Sequence, residues 1–155
     1  MHSRAAEFQR RVAEEHGVDI DVHEFPEGTK TAEDAAASVG CDVAQIASGL
    51  VFTADDRVVM VVTSGANRVD EDRLAAVTDA DIVEMADPDT VQAATGYSIG
   101  GVPPFCHDQP IPVYVDESLL AHEEVWAAAA TPQAVFPIDP DRLVELSGGT
   151  PIRVA

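Results

Sequence analysis

Gly100-Gly101-Val102-Pro103-Pro104-Phe105-Cys106-His107 is the stretch of this chain best suited to chemistry. Two adjacent glycines permit a turn that side chains would block, and they let a ligand approach bare backbone N–H groups. Two prolines then hold the next residues extended and remove two donors. A loop bare at one end and stiff at the other suits a carbonyl that gains negative charge, with Gly100 and Gly101 as backbone donors. A structural turn between strands accounts for the same residues, and both readings stand at this point. His107 is the imidazole best placed to move a proton near pH 7; a loop histidine without a catalytic part is the alternative. Cys106 is either a reactive thiol or a packed free cysteine.

The remaining chemistry-bearing residues are scattered. Cys41 and Cys106 lie far apart without a CxxC pattern, so neither a disulfide framework nor a zinc site is expected. His2, His16 and His122 show no ligand spacing, and no metal or cofactor is expected. Ser48 can hydrogen-bond a phosphate, a ribose or a water. It lacks a Gly-x-Ser-x-Gly elbow and an evident base, which argues against a nucleophile.

Acids number 28 against 9 bases, a formal charge of −19, and Lys30 is the lone lysine. The acids are spread along the chain rather than gathered in a tail, which speaks for a diffuse acidic surface and not a disordered block. Such a surface repels itself at low salt; in molar salt the screening length is about 3 Å and the repulsion fades. A salt-adapted protein is the expectation. The chain shows no basic stripe, which argues against general nucleic-acid binding, DNA included, but less against a short single-stranded end. No run of 18 apolar residues and no secretory leader is read, so a cytoplasmic protein off the membrane is expected. The 155 residues, 46% of them hydrophobic, suit one domain over 1–155 with a respectable core.

The elements that must position these groups are legible from caps and periodicity. The pattern predicts a helix over Ser3–His16 stopped by Gly17, and a strand over Ile20–Phe25. Thr31 caps a helix ending at Gly40, and Asp42 caps a short helix through Ala47. Gly49–Thr53 and Arg57–Thr63 read as a hairpin about Ala54-Asp55-Asp56. Asp70 opens a helix through Val77, and Asp81–Ala86 reads as a strand. Asp87-Pro88 and Asp139-Pro140 are cap-plus-proline helix starts. Pro112–Asp116, Glu124–Ala129 and Ala134–Ile138 read as strands, with Ile152–Val154 as a last edge. Strands and helices mix without strict βαβ alternation, which supports α/β or α+β.

Several of these pieces, in order, resemble the YbaK/ProX-like aminoacyl-tRNA deacylases, relatives of the editing domain inserted in bacterial prolyl-tRNA synthetases. Thr31 to Ala36 resembles that family's early helix start, and Val43 to Phe52 its helix-into-strand block. Thr95-Gly96-Tyr97 followed by Gly100 to Phe105 resembles its Gly-x-x-x-Pro loop; Val115 to Leu119 and Ala130-Thr131-Pro132 follow at suitable spacing. The resemblance implies a mixed β-barrel-like sheet surrounded by helices. It implies trans-acting hydrolysis of the aminoacyl ester of a mischarged tRNA, with the acceptor end as partner and an aminoacyl-tRNA synthetase as an associate. It also implies a pocket wall that includes Thr95, Tyr97, Pro104 and Phe105, and a substrate-binding part for Lys30, Thr31 and Asp116; Tyr97 reads equally as a core residue, and Asp116 equally as a cap of the turn that follows it. Two departures stand out: the family's usual lysine position is Ser48, and Ala130 stands where glycine is usual. The first leaves open a second reading, an aminoacyl- or nucleotide-binding module without chemistry. Lys30 is a candidate substitute for the missing cation.

Overall fold

A computed structural model describes residues 1–26 and 31–155 of the chain. The helices start and stop where the sequence places caps. α1 (Ser3–His16) ends at Gly17, whose φ of 66° only glycine adopts freely. α2 (Ala32–Val39) follows Thr31, whose side chain accepts from the Asp34 N–H. α3 (Glu71–Thr78) is capped by Asp70, and α4 (Pro88–Thr95) and α5 (Pro140–Ser147) by Asp87 and Asp139. Each capping carboxylate satisfies N–H groups that the first turn would otherwise leave open.

The strands are β1 (His23–Glu24), β2 (Ile46–Ala54), β3 (Arg57–Ser64), β4 (Val83–Met85), β5 (Val113–Asp116), β6 (Val125–Ala128), β7 (Ala134–Ile138) and β8 (Thr150–Ile152). They form one mixed sheet in the order β1-β7-β6-β2-β3-β5-β8, with β4 against β2. The expected mixed sheet with helices around it is therefore present. Boundaries differ in places. The first strand keeps only His23–Glu24 of Ile20–Phe25. The helix after Asp42 is one 3₁₀ turn, Val43–Gln45, because β2 already pairs from Ile46. The last strand is Thr150–Ile152, paired with β5, rather than Ile152–Val154. A 3₁₀ turn over Glu117–Ala121 is not among the predicted elements, but its cap, Asp116, takes one of the two roles expected of that residue.

β3 is buried on both faces. Met60 and Val62 join Phe8 and Val12 of α1 and Phe136 of β7 on one side. Val59 and Val61 join Phe52 of β2 and Leu74 of α3 on the other. The alternation of side chains along a strand makes a continuous apolar run necessary here.

One irregularity of this sheet creates a place for a ligand. β2 pairs with β3 along its length, but its other edge is shared. Ile46 and Ala47 pair with β6, and Phe52 to Ala54 pair with β4. Between those two ladders, Ser48 to Leu50 have no strand on that edge. A gap in a sheet exposes backbone groups that must find other partners.

Candidate functional site

The gap opens onto a cavity of about 240 Å³. Ile46 to Val51 of β2 form one wall, and Thr31, Ala32 and Ala35 at the start of α2 form another. Gly100, Val102 and Ile99 come from the loop after α4, Val91 from α4 itself, and Trp126 and Ala128 from β6. The lining is mostly apolar. Ser48 Oγ is a polar exception and has no hydrogen-bond partner among the described residues. The Gly100 N–H likewise has none there, and its φ of 91° is one that a side chain would strain. A hydroxyl and a backbone donor, both uncommitted among the described residues, thus belong to residues that line one cavity. Trp126 packs edge-on against His23, at 5.1 Å between ring centroids, so His23 backs the wall rather than entering the cavity.

Two close approaches hold the loop over β2. A Cβ on Gly49 would lie 2.8 Å from the Val102 carbonyl oxygen, and one on Gly101 would lie 2.8–2.9 Å from the Thr131 backbone. Gly101 is therefore needed for packing. It is not the second oxyanion donor expected from the sequence, because its N–H is already given to the Ser98 carbonyl at 3.1 Å. Ala130, where glycine is usual, adopts φ 74° and is buried, which accounts for the usual preference.

The loop owes its stiffness less to its prolines than to α1. Phe105 stacks on Phe8 at 5.9 Å, and Tyr97 meets the same ring edge-on at 6.1 Å. Both belong to the core and not to a pocket wall, and Pro104 is buried beside them. Arg11 donates to Asp108 and to the His107 carbonyl, each at 3.0 Å. The Tyr97 hydroxyl donates to the Cys106 carbonyl at 2.7 Å, and burial pushes its pKa up to about 12. His107 does not line the cavity. Its partner is the Pro103 carbonyl at 2.8 Å, so Nε2 carries the proton and donates. Burial lowers its pKa, which favours the neutral imidazole. A proton shuttle expected of His107 is replaced by a brace within the loop. Burial pushes the Cys106 thiol up to about 11, which removes the reactive thiolate.

Thr95 is fully buried, with its hydroxyl donated to the Val91 carbonyl at 2.7 Å. It closes the last turn of α4, which Gly96 caps, and does not line the cavity. Asp116 is 2% exposed and lies outside the lining. Burial would raise its pKa, but the donors around it outweigh that and hold it below the usual range. Asn67 Nδ2, the Ser64 N–H and the Ser118 N–H reach it at 2.9, 3.0 and 3.0 Å. Asp116 ties the turn after β3 to the 3₁₀ turn after β5, rather than binding substrate. Thr31 does line the cavity, while Lys30 lies outside the described residues.

A second cavity, of about 450 Å³, adjoins the first. Ala32, Ser48, Leu50 and Met85 line both. Its own walls include Thr63, Ser64, Asn67, Arg68 and Glu71, and so the charged side chains that the first cavity lacks among the described residues. The sequence reading passed over Arg68, Trp126, Met85 and Gly49. Gly49 lay within a quoted motif, but only the three-dimensional approach of Val102 shows why it is needed.

The chain matches known proteins along most of its length. The sequence profile of a family described as "Aminoacyl-tRNA editing domain" covers residues 26–146. YwhH of Bacillus subtilis, described as uncharacterized, is 33% identical over 130 residues, which is 82% of this chain and 81% of YwhH. EbsC of Enterococcus faecalis, to which a Cys-tRNA(Pro)/Cys-tRNA(Cys) deacylase activity is ascribed, is 27% identical over 90% of this chain and 87% of its own. The crystal structure of a protein ascribed to trans-editing for prolyl tRNA synthetase superposes with a TM-score of 0.93 at 36% identity, over 99% of this chain and 98% of the other. Proline–tRNA ligases match too, such as that of Bacillus licheniformis at 30% identity, but the chain spans only 18% of that enzyme's length.

Proposed function

We propose, from the premise that this chain belongs to the aminoacyl-tRNA editing domain family, that it hydrolyses the ester of a wrongly charged tRNA in trans. The observation that carries this reading is the mostly apolar cavity in the gap of the sheet, where the Ser48 hydroxyl, the Gly100 N–H and the unpaired β2 edge at Ser48–Leu50 supply uncommitted polar groups among the described residues. An apolar pocket of this kind takes a small uncharged amino-acid side chain and offers nothing to a charged one. Larger side chains are excluded by the walls that Trp126 and Val91 provide.

In the reaction, water adds to the ester carbonyl carbon, and the bond from that carbon to the ribose oxygen breaks. The ribose oxygen keeps a proton that the water supplied, and the amino acid leaves as an acid that ionises. The Gly100 N–H faces the carbonyl oxygen as it gains charge. The Ser48 hydroxyl holds the water or the neighbouring ribose hydroxyl, a positioning role that needs no cation. The chain acts in the cytoplasm, on the product of a synthetase for proline, with which it associates. The same kind of domain forms a part of the proline–tRNA ligases that match it.

The test is a panel of esters on one tRNA. Proline-accepting tRNA carrying alanine, serine or cysteine is hydrolysed, and the same tRNA carrying aspartate, lysine or phenylalanine is not. Equal rates across the panel, or none above the uncatalysed rate, would overturn the reading.

A further inference from the structure

Arg68 is the only basic residue on either cavity among the described residues. It is exposed and makes no hydrogen bond or ion pair within the described protein. Its neighbours on that wall are committed. The Ser64 hydroxyl donates to the Ala44 carbonyl at 2.8 Å, and Asn67 Nδ2 is held by Asp116 at 2.9 Å and Ser118 at 3.0 Å. Asp116 therefore fixes the turn from which Arg68 projects, while the guanidinium itself stays unpaired. The position that would otherwise bring a cation to the cleft, at the junction of the two cavities, is the neutral Ser48.

We infer that Arg68 is the phosphate contact of this site: it binds the phosphodiester that precedes the terminal nucleoside, while the amino acid occupies the apolar cavity and the ester lies between, at Ser48. This rests on the editing reading given above. A phosphate is the ligand chemistry that a lone unpaired guanidinium recognises, through two parallel N–H donors. In a chain of charge −19, a single cation at the mouth of the cleft also decides where an anion can approach. Glu71 lines the same cavity and repels phosphate, so the phosphate must lie on the Arg68 side. Met85, 57% exposed and shared by both cavities, offers an apolar surface for the terminal base.

The experiment has two arms. In the first, hydrolysis of alanyl-tRNA for proline is compared with hydrolysis of alanyl-adenosine, the same ester without phosphate. Arg68→Gln raises KM on the tRNA about tenfold, and the penalty shrinks below about twofold on alanyl-adenosine. Arg68→Lys restores part of the loss, and Arg142→Gln, the same charge change outside both cavities, leaves KM alone. An equal loss on both substrates, or no loss on either, would overturn the assignment. The second arm needs no catalysis. Cytidylyl-adenosine, which carries the phosphodiester, binds the wild type about tenfold more tightly than it binds Arg68→Gln, whereas adenosine binds both alike. That result without any hydrolysis would sink the editing reading and keep the phosphate site. Equal binding of the dinucleotide to both proteins would remove the site.

Discussion

At the scale of single residues, the site depends on groups left without internal partners. The Ser48 hydroxyl is one, and Ser48→Ala should lower kcat for alanyl-tRNA by about tenfold, or about 1.4 kcal/mol of barrier, with a smaller change in KM; an unchanged kcat would take Ser48 out of the reaction. Gly101 is the opposite kind of residue, fixed by space. A Cβ there meets the Thr131 backbone, so Gly101→Ala should cost about 1–3 kcal/mol of stability, read by urea unfolding. His107 makes a pH prediction. Its pKa is lowered by burial, so below about pH 6.5 the unfolded chain binds a proton that the folded chain does not. Stability is full above that pH and falls as the pH drops. Unfolding curves from pH 7.5 to 5.5 should show the fall, and His107→Gln should flatten it; an identical slope in the variant would assign the effect elsewhere. The sequence named Ser48 and Gly100 through motif position. It names Gly101 as a donor and leaves His107 open between proton carrier and loop histidine, because which N–H or ring nitrogen is already in use depends on folds of the loop that no spacing encodes.

At the scale of elements, the loop over the cavity is an attachment of α1. Phe8 packs on Phe105, Tyr97 and Phe136, and Arg11 holds Asp108 and the His107 carbonyl. Phe8→Ala should cost about 3–5 kcal/mol and should also raise hydrogen exchange across residues 97–108; a loss of stability with that segment's protection unchanged would separate helix from loop. The helices themselves were legible, since Asp-Pro pairs, Thr31 and the left-handed glycines are local signals. The gap in β2's edge was not. It arises because β6 and β4, over seventy and thirty residues away in sequence, each cover only one end of the strand. Phe105 is expected at the substrate for a related reason: its neighbours in sequence are at the site, but its side chain turns into the core, whereas Tyr97 and Asp116 take the core and capping roles that are their open alternatives.

At the scale of the whole molecule, charge dominates. Among the described residues the ion pairs of the carboxylates involve only Glu15, Asp21, Glu24 and Asp108, so most of the 28 acids have no cation paired with them there. The melting temperature should therefore climb steadily from low salt to molar KCl; a flat profile would contradict a repulsive surface. No described helix is long and apolar enough to cross a membrane. The same charge makes the approach of tRNA depend on a local site rather than on a general field, which places the burden on the cleft around Ser48, Gly100 and Arg68. The central claim, that this cleft cleaves an aminoacyl ester, is tested most directly by single-turnover hydrolysis of alanyl-tRNA for proline in molar KCl. Hydrolysis by the wild type well above the uncatalysed rate, reduced about tenfold in Ser48→Ala, is the predicted result. A wild-type rate equal to the uncatalysed one, or an unaltered rate in Ser48→Ala, would contradict it.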